Sequence, residues 1–464
     1  MTAGPPPATD RPHLLIRGAT ILSMDPDVGD LVAGDIEIVD GAIAAVGAGL
    51  AAPGAEVIDG RGRIVVPGFV DPHWHLWGTL LRGVIGDGHE TGYFAQKNRY
   101  AHLFRPEDTA AAVRLGAADG LLAGITTIHD WAHNVLSRDD AEADLGALRE
   151  LGGRARFSYG APSSTPGLSL DQMAAALGPG VAVGVDEAMD IELAASLRSD
   201  QAGEDLLTFG VALRGPARST IDVVRTEFAA ARSHGLPIAM HCAGTRAEVE
   251  RIDQVAVLDE AGLLGDDLLL AHANHLPAPS VERLAAHDIP VTVSPATELR
   301  LAMGRPPVGR LRSAGIRVSL SLDSTAISGA ADPFDAMRLA AGIERIDGDV
   351  HALTAREVLA MATLEGARTL GLGDRVGSIR PGKRADLVLV ATDRPGLAPV
   401  VDPYVAIVHG ARPSDVRTVL VDGRRVVDEG RLLTAEVDEI VATATAALAA
   451  LRQRAGDRLE ERPR

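Results

Sequence analysis

Apolar runs that stop at a polar residue recur along this chain. The run over 64–72, IVVPGFVDP, reads as a buried strand and closes on His73-Trp74-His75. In an extended chain residues two apart face the same side, so His73 and His75 can share one ligand while Trp74 turns away. LPIAMH at 236–241, DDLLLAH at 266–272 and IRVSLSLD at 316–323 repeat the pattern. Further strand candidates are GITTIHD at 124–130, RARFSYG at 154–160, LLTFGVAL at 206–213 and DIPVTVSP at 288–295. Helical spacing fills the gaps over 106–122, near 187–198, and over 219–234, 246–261, 279–287 and 307–314, with further helices at 332–343 and 354–370. Eight strands separated by helices predict an α/β fold with a TIM-like (β/α)8 barrel over 67–375.

The flanks read differently. Short alternating stretches fill 11–66, with Asp40-Gly41 as a hairpin turn. The same composition returns after 375 in VGSIRPGKRADLVLV, AIVHG and VRTVLVDGRRVVDEG, with turns at Asp422-Gly423 and Glu429-Gly430. Neither flank has enough strands for a core of its own. Residues 11–66 and 376–434 are therefore expected to form one small β-sandwich domain. Residues 1–10 read as a loose tail, and 435–464 as an amphipathic helix and tail.

A parallel barrel gathers the ends of its strands at one mouth, and three histidines with one aspartate there suit a divalent metal that activates water. The competing reading is that the histidines satisfy hydrogen bonds in the core. It accounts for one histidine more easily than for a set placed at successive strand ends. Trp131, His133 and Asn134 follow the second strand and face the mouth if its register holds. The loop after His75 carries Trp77, Arg82, His89 and Tyr93, which suit either a pocket wall or an ordinary packed loop.

Composition narrows the function. Of 464 residues 46% are hydrophobic, enough for a large domain and a smaller one. A net charge of −18 argues against a general nucleic-acid binder and helps solubility, but it does not identify a substrate. Cys242 is the sole cysteine, so there is no internal disulfide and a reducing compartment fits. No signal peptide and no uninterrupted transmembrane-length segment is visible, and a soluble cytoplasmic protein without membrane contact is expected. Nothing in the pattern excludes a homo-oligomer.

PGFVDPHWH at 67–75, PIAMH at 237–241, AHANHL at 271–276, SLD at 321–323 and PGKRADLVLV at 381–390 together resemble the amidohydrolase superfamily. The likeness covers nearly the whole chain. It points to the branch of cytosine, guanine and adenosylhomocysteine deaminases and triazine hydrolases. The resemblance implies a barrel inserted into a β-sandwich, with His73, His75, His241 and Asp323 holding one divalent metal, usually zinc and in some relatives iron. Asp323 would also take the proton from the attacking water, and His272 would polarise the substrate. Binuclear relatives bridge two metals with a lysine on the fourth strand. That strand has none here, and only Lys97 and Lys383 occur elsewhere.

Two positions depart from the family pattern. Deaminases of this branch carry HxxE after the fifth strand, whereas His241-Cys242-Ala243-Gly244 places a glycine at the acid position, and Glu248 lies a turn further on. Glu298 follows the seventh strand, where it could serve as displaced acid, as substrate anchor or as a helix-start carboxylate. His275 reads as a pocket or surface residue, and Cys242 as a packing residue turned away from His241. The expected activity is metal-dependent hydrolysis of a C–N bond in a small cyclic substrate. Loss of halide or alkylamine, a metal-assisted lyase or cyclase, and a non-catalytic metal-binding barrel are the alternatives.

Overall fold

The computed structural model describes residues 11–88, 90–160, 162, 164–165, 168–169, 187–201, 203, 205–346 and 353–457. The tail at 1–10 and His89 lie outside the described residues. Eight parallel strands form one sheet in sequence order: Phe69–Trp74, Ile125–Ala132, Arg154–Tyr159, Leu207–Leu213, Ile238–Cys242, Leu268–His272, Val291–Val293 and Val318–Leu320. Their residues are almost all buried, as expected of strands covered on both faces. The first and eighth strands meet through a parallel bridge between Trp74 and Asp323. His75 N–H donates to Asp323 O at 2.7 Å and Asp323 N–H to His73 O at 2.9 Å. The seam that closes this (β/α)8 barrel therefore runs through the backbone of three candidate site residues.

The run over 64–72 is not one strand. Arg63–Pro67 belongs to the second sheet and Phe69–Trp74 to the barrel. Gly68 is the switch point. A Cβ there would stand 2.0 Å from Thr126 Oγ1 on the neighbouring barrel strand, so only glycine fits without a shift.

The second sheet is mixed and draws on both ends of the chain. Its order is Arg431–Leu432, Arg424–Asp428, Val416–Val421, Leu387–Ala391, Arg63–Pro67, Leu14–Ile21, Leu31–Val39 and Ala42–Gly47, with Glu56–Asp59 also beside Leu14–Ile21. Arg63–Pro67 pairs antiparallel with Leu387–Ala391, which joins the two halves. Alternation divides these strands between two cores. Val65, Leu387 and Leu389 pack with Ile16 and Ile36. Ile64, Val66, Val388 and Val390 join the barrel core. Arg154, at the start of the third barrel strand, donates to both oxygens of Asp386 at 2.9 and 3.1 Å in a buried pair, and Asp386 also accepts Asp422 N–H. Asp40-Gly41 and Asp422-Gly423 form the expected hairpin turns with positive φ at both residues.

Three further stretches differ from expectation. The helix expected at 246–261 is two, Arg246–Arg251 and Gln254–Glu260, because Asp253 caps the second by accepting Ala256 N–H. The helix at 354–370 likewise breaks into Ala355–Met361 and Leu364–Thr369, with Thr363 out of helical geometry. AIVHG is a π-helical turn, not a strand. The last helix, Val437–Arg454, packs on Pro106–Leu122. Among the described residues no helix is long and apolar enough to cross a membrane.

Candidate metal centre

The strand ends converge as polar side chains at one mouth. Asp71 sets the first of them: its Oδ1 accepts His73 N–H at 3.0 Å and its Oδ2 accepts Leu322 N–H at 3.0 Å, tying the two sides of the seam. His75 Nδ1 lies 3.1 Å from Trp131 O, which turns Nε2 inward. His75 Nε2 then stands 3.2 Å from His241 Nε2 and 3.3 Å from Asp323 Oδ1. His73 Nε2 is also 3.3 Å from that oxygen. Two ligands about 2.0–2.1 Å from one tetrahedral ion sit roughly 3.3 Å apart, which is the spacing found.

The donor set passes a second test. His73 is fully buried, yet neither ring nitrogen makes a hydrogen bond. Such orphaned polar atoms cost about 1–3 kcal/mol each unless something satisfies them. Burial, reinforced by the neighbouring His272 and His73 respectively, holds the His73 imidazole well below its ordinary pKa and pushes His75 down to about 3. Burial and the surrounding histidines do the same to His241. All three thus offer lone pairs at neutral pH. The ligand atoms of His73, His75 and His241 lie within 4.8 Å of one another, as do those of His73, His272 and Asp323. The fourth strand brings no lysine, and Ala212 and Leu213 occupy its end at the cavity.

His272 differs from the others. Burial acts to lower its pKa, but the Glu298 hydrogen bond and the charges of Asp323, Glu298 and Glu248 outweigh it and raise the value. Glu298 is fully buried behind the ring: Oε1 lies 3.1 Å from His272 Nδ1 and accepts Ser294 N–H at 2.9 Å. It is not on the cavity wall. Both His272 and Asp323 hold positive φ, 77° and 62°, a strain that costs roughly 1–3 kcal/mol and marks sites held rigidly by their surroundings.

The sequence profile of the amidohydrolase family matches residues 64–426. The chain belongs to the amidohydrolase family. This amidohydrolase is 31% identical over 444 residues to the 5-methylthioadenosine/S-adenosylhomocysteine deaminase of Pelotomaculum thermopropionicum, covering 93% of this chain and 97% of the relative. It is 31% identical over 462 residues to the 5'-deoxyadenosine deaminase of Methanothermobacter thermautotrophicus, covering 95% and 99%. Its fold is that of a zinc-bound adenosine deaminase from Xanthomonas campestris, with a TM-score of 0.83 at 24% identity over 95% of this chain and 99% of that one. The zinc complex of an atrazine chlorohydrolase from Arthrobacter aurescens gives 0.80 at 24%, over 94% and 100%. The amidohydrolase is thus a metal-dependent hydrolase of C–N bonds with one divalent ion.

A cavity of about 610 Å³ opens above the centre, with His75, His241, His272 and Asp323 in its wall. Trp131 and His133 line it, as the register of the second strand suggests, and so does Tyr93, for which the sequence leaves wall and packed loop both open. Asn134 instead donates to Ala101 O, Arg82 pairs with Asp119, and Trp77 packs on Phe104 and His133. His275 binds Met303 O, and Cys242 packs in the core with its thiol pushed up by burial. The wall also carries Lys97, Arg214 and Arg218, which the sequence reading did not place there, and Glu248, which it set a turn beyond the acid position. The signals available were Lys97, one of two lysines in the chain, and the glycine at the acid position with Glu248 a turn beyond it.

Proposed function

We propose that this amidohydrolase deaminates a 6-aminopurine nucleoside, with His73, His75, His241 and Asp323 holding one divalent ion, zinc above iron. The observation that carries the reading is the convergence of these four side chains, at 3.2–3.3 Å, with His75, His241 and Asp323 in the wall of a cavity of about 610 Å³ and His73 buried behind them. That volume lies in the range of small-molecule sites, and the names of the deaminase relatives supply the substrate class. A divalent ion bound there supplies Lewis acidity, which makes water nucleophilic near neutral pH. Asp323 takes a proton from the attacking water. His272 has its Nδ1 engaged by Glu298, which leaves Nε2 to hold a proton against charge developing on the substrate. On this reading Glu298 positions His272 and does not touch substrate. Trp131 and Tyr93 enclose the ring system and exclude water. A small-molecule substrate and a cytoplasmic setting go with the reading.

The test is ammonia release by the holoenzyme from adenosine, 5′-methylthioadenosine, S-adenosylhomocysteine, cytosine, guanine and an aminotriazine. Release from at least one of the three nucleosides is expected. Release confined to the free bases or the triazine would overturn the nucleoside reading, and release from none would overturn deamination.

A further inference from the structure

Removal of ammonia needs a proton at the departing nitrogen, and Gly244 cannot give one. Among the described residues lining the cavity, Asp323 and Glu248 are the only carboxylates. Asp323 lies against His73 and His75. Glu248 lies in the first turn of the short helix Arg246–Arg251, where Thr245 Oγ1 accepts its N–H at 3.2 Å and caps the helix, and it lines the cavity. In sequence Glu248 lies a full turn beyond position 244, too far along for a simple substitution, yet its carboxylate comes back beside that position. A Cβ built on Gly244 would lie 3.8 Å from Glu248 Oε2 and 3.9 Å from His272 Cδ2. The Met303 methyl packs over Gly244, 2.6 Å from where its Cβ would stand, and Glu248 Oε2 and His272 Cδ2 border the same position. Gln254 Nε2 donates to Glu248 Oε1, which leaves Oε2, the oxygen beside Gly244, without that partner on the cavity wall. The residue is half-buried and can exchange its proton with solvent at the mouth.

We infer that Glu248 is the catalytic acid that protonates the departing amine; this rests on the deaminase reading above. In the first step water adds across the C=N bond of the aminopurine. Its oxygen bonds to carbon, and one of its protons passes through Asp323 to the ring nitrogen. In the second step the C–N bond breaks and its electron pair stays on the amino nitrogen. That nitrogen takes the proton of Glu248 and leaves as ammonia. The hydroxyl proton of the adduct passes to the Glu248 carboxylate as the carbonyl forms. Both carboxyl groups end as they began: one proton of water is on the ring nitrogen, and the other replaces on Glu248 the proton that left with ammonia.

The test compares wild-type holoenzyme with Glu248→Gln on the most reactive 6-aminopurine nucleoside of the panel and on its 6-chloro counterpart. Chloride departs without a proton. The expected result is a kcat for deamination lower by roughly 10²- to 10⁴-fold, KM changed little, a much smaller loss on the chloro substrate, and metal content and Tm retained. Equal losses on both substrates, a rise in KM at constant kcat, loss of metal or Tm, or unchanged kinetics would each overturn the assignment. A wild-type enzyme inactive on both substrates would instead overturn the nucleoside reading beneath it.

Discussion

Glu298→Gln separates a residue that transfers protons from one that holds a histidine. The glutamine carbonyl can keep the Ser294 N–H bond of 2.9 Å, and its amide nitrogen takes the place of Oε2, which has no hydrogen-bond partner. Shape and burial are kept while the charge beside His272 is removed. A hydrogen bond to a charged group contributes about 1.5–3 kcal/mol and a neutral one about 0.5–1.5, so the loss is about 1–1.5 kcal/mol. At about 1.4 kcal/mol per factor of ten, kcat should fall roughly 5- to 12-fold if all of it bears on the transition state. The pKa of His272 should fall as well, because Glu298 provides a hydrogen bond and a charge that raise it. A raised histidine stabilises the fold fully below its unfolded value of about 6.5, and the contribution is lost as pH rises through the folded value. The variant should therefore lose more Tm at pH 6 than at pH 9, and any alkaline limb of kcat that reports His272 should move to lower pH. Steady-state ammonia release across pH, with metal content measured in parallel, checks both. A fall beyond about 100-fold with metal retained would make Glu298 itself a proton donor. An unchanged kcat and pH profile would remove it from the mechanism.

Two further outcomes follow from the way the sheets share cores. Residues 67–375 expressed alone should be poorly soluble, because Val388, Val390, Val419 and Val421 would no longer cover the barrel core; a monodisperse, folded barrel by light scattering and circular dichroism would contradict this. Gly68→Ala should destabilise the protein by about 1–3 kcal/mol in denaturant unfolding, since Thr126 is buried and stands 2.0 Å from the new Cβ; an unchanged midpoint would show that the switch between sheets tolerates a side chain.

The barrel was legible because each strand is a short apolar run that ends in a chemically distinctive residue. His73, His75, His241, His272 and Asp323 mark the mouth at fixed positions in that pattern, and the structure brings all five together. The division at Gly68 was not legible. Both halves of the run over 64–72 are buried and apolar, and nothing local says that they belong to different sheets. The breaks at Asp253 and Thr363 escaped for a similar reason: side-chain periodicity continues across them while a cap or one non-helical residue interrupts the backbone. AIVHG has strand composition, yet its backbone closes the turn by Ala411 N–H donating to Ala406 O. On the cavity wall, Glu248 and Arg218 come from connecting segments whose polar side chains look like any solvated surface. Their role depends on which way those segments fold over the mouth, a tertiary fact that spacing along one chain does not carry.

The central claim is that one divalent ion on His73, His75, His241 and Asp323 drives C–N hydrolysis. The most direct measurement is ammonia release from the preferred nucleoside as zinc is titrated into chelator-stripped protein. Activity should be absent at the start, rise linearly and break at one equivalent, while His73→Ala should show no such break. Full activity in the stripped protein, or a break only at two equivalents, would contradict it.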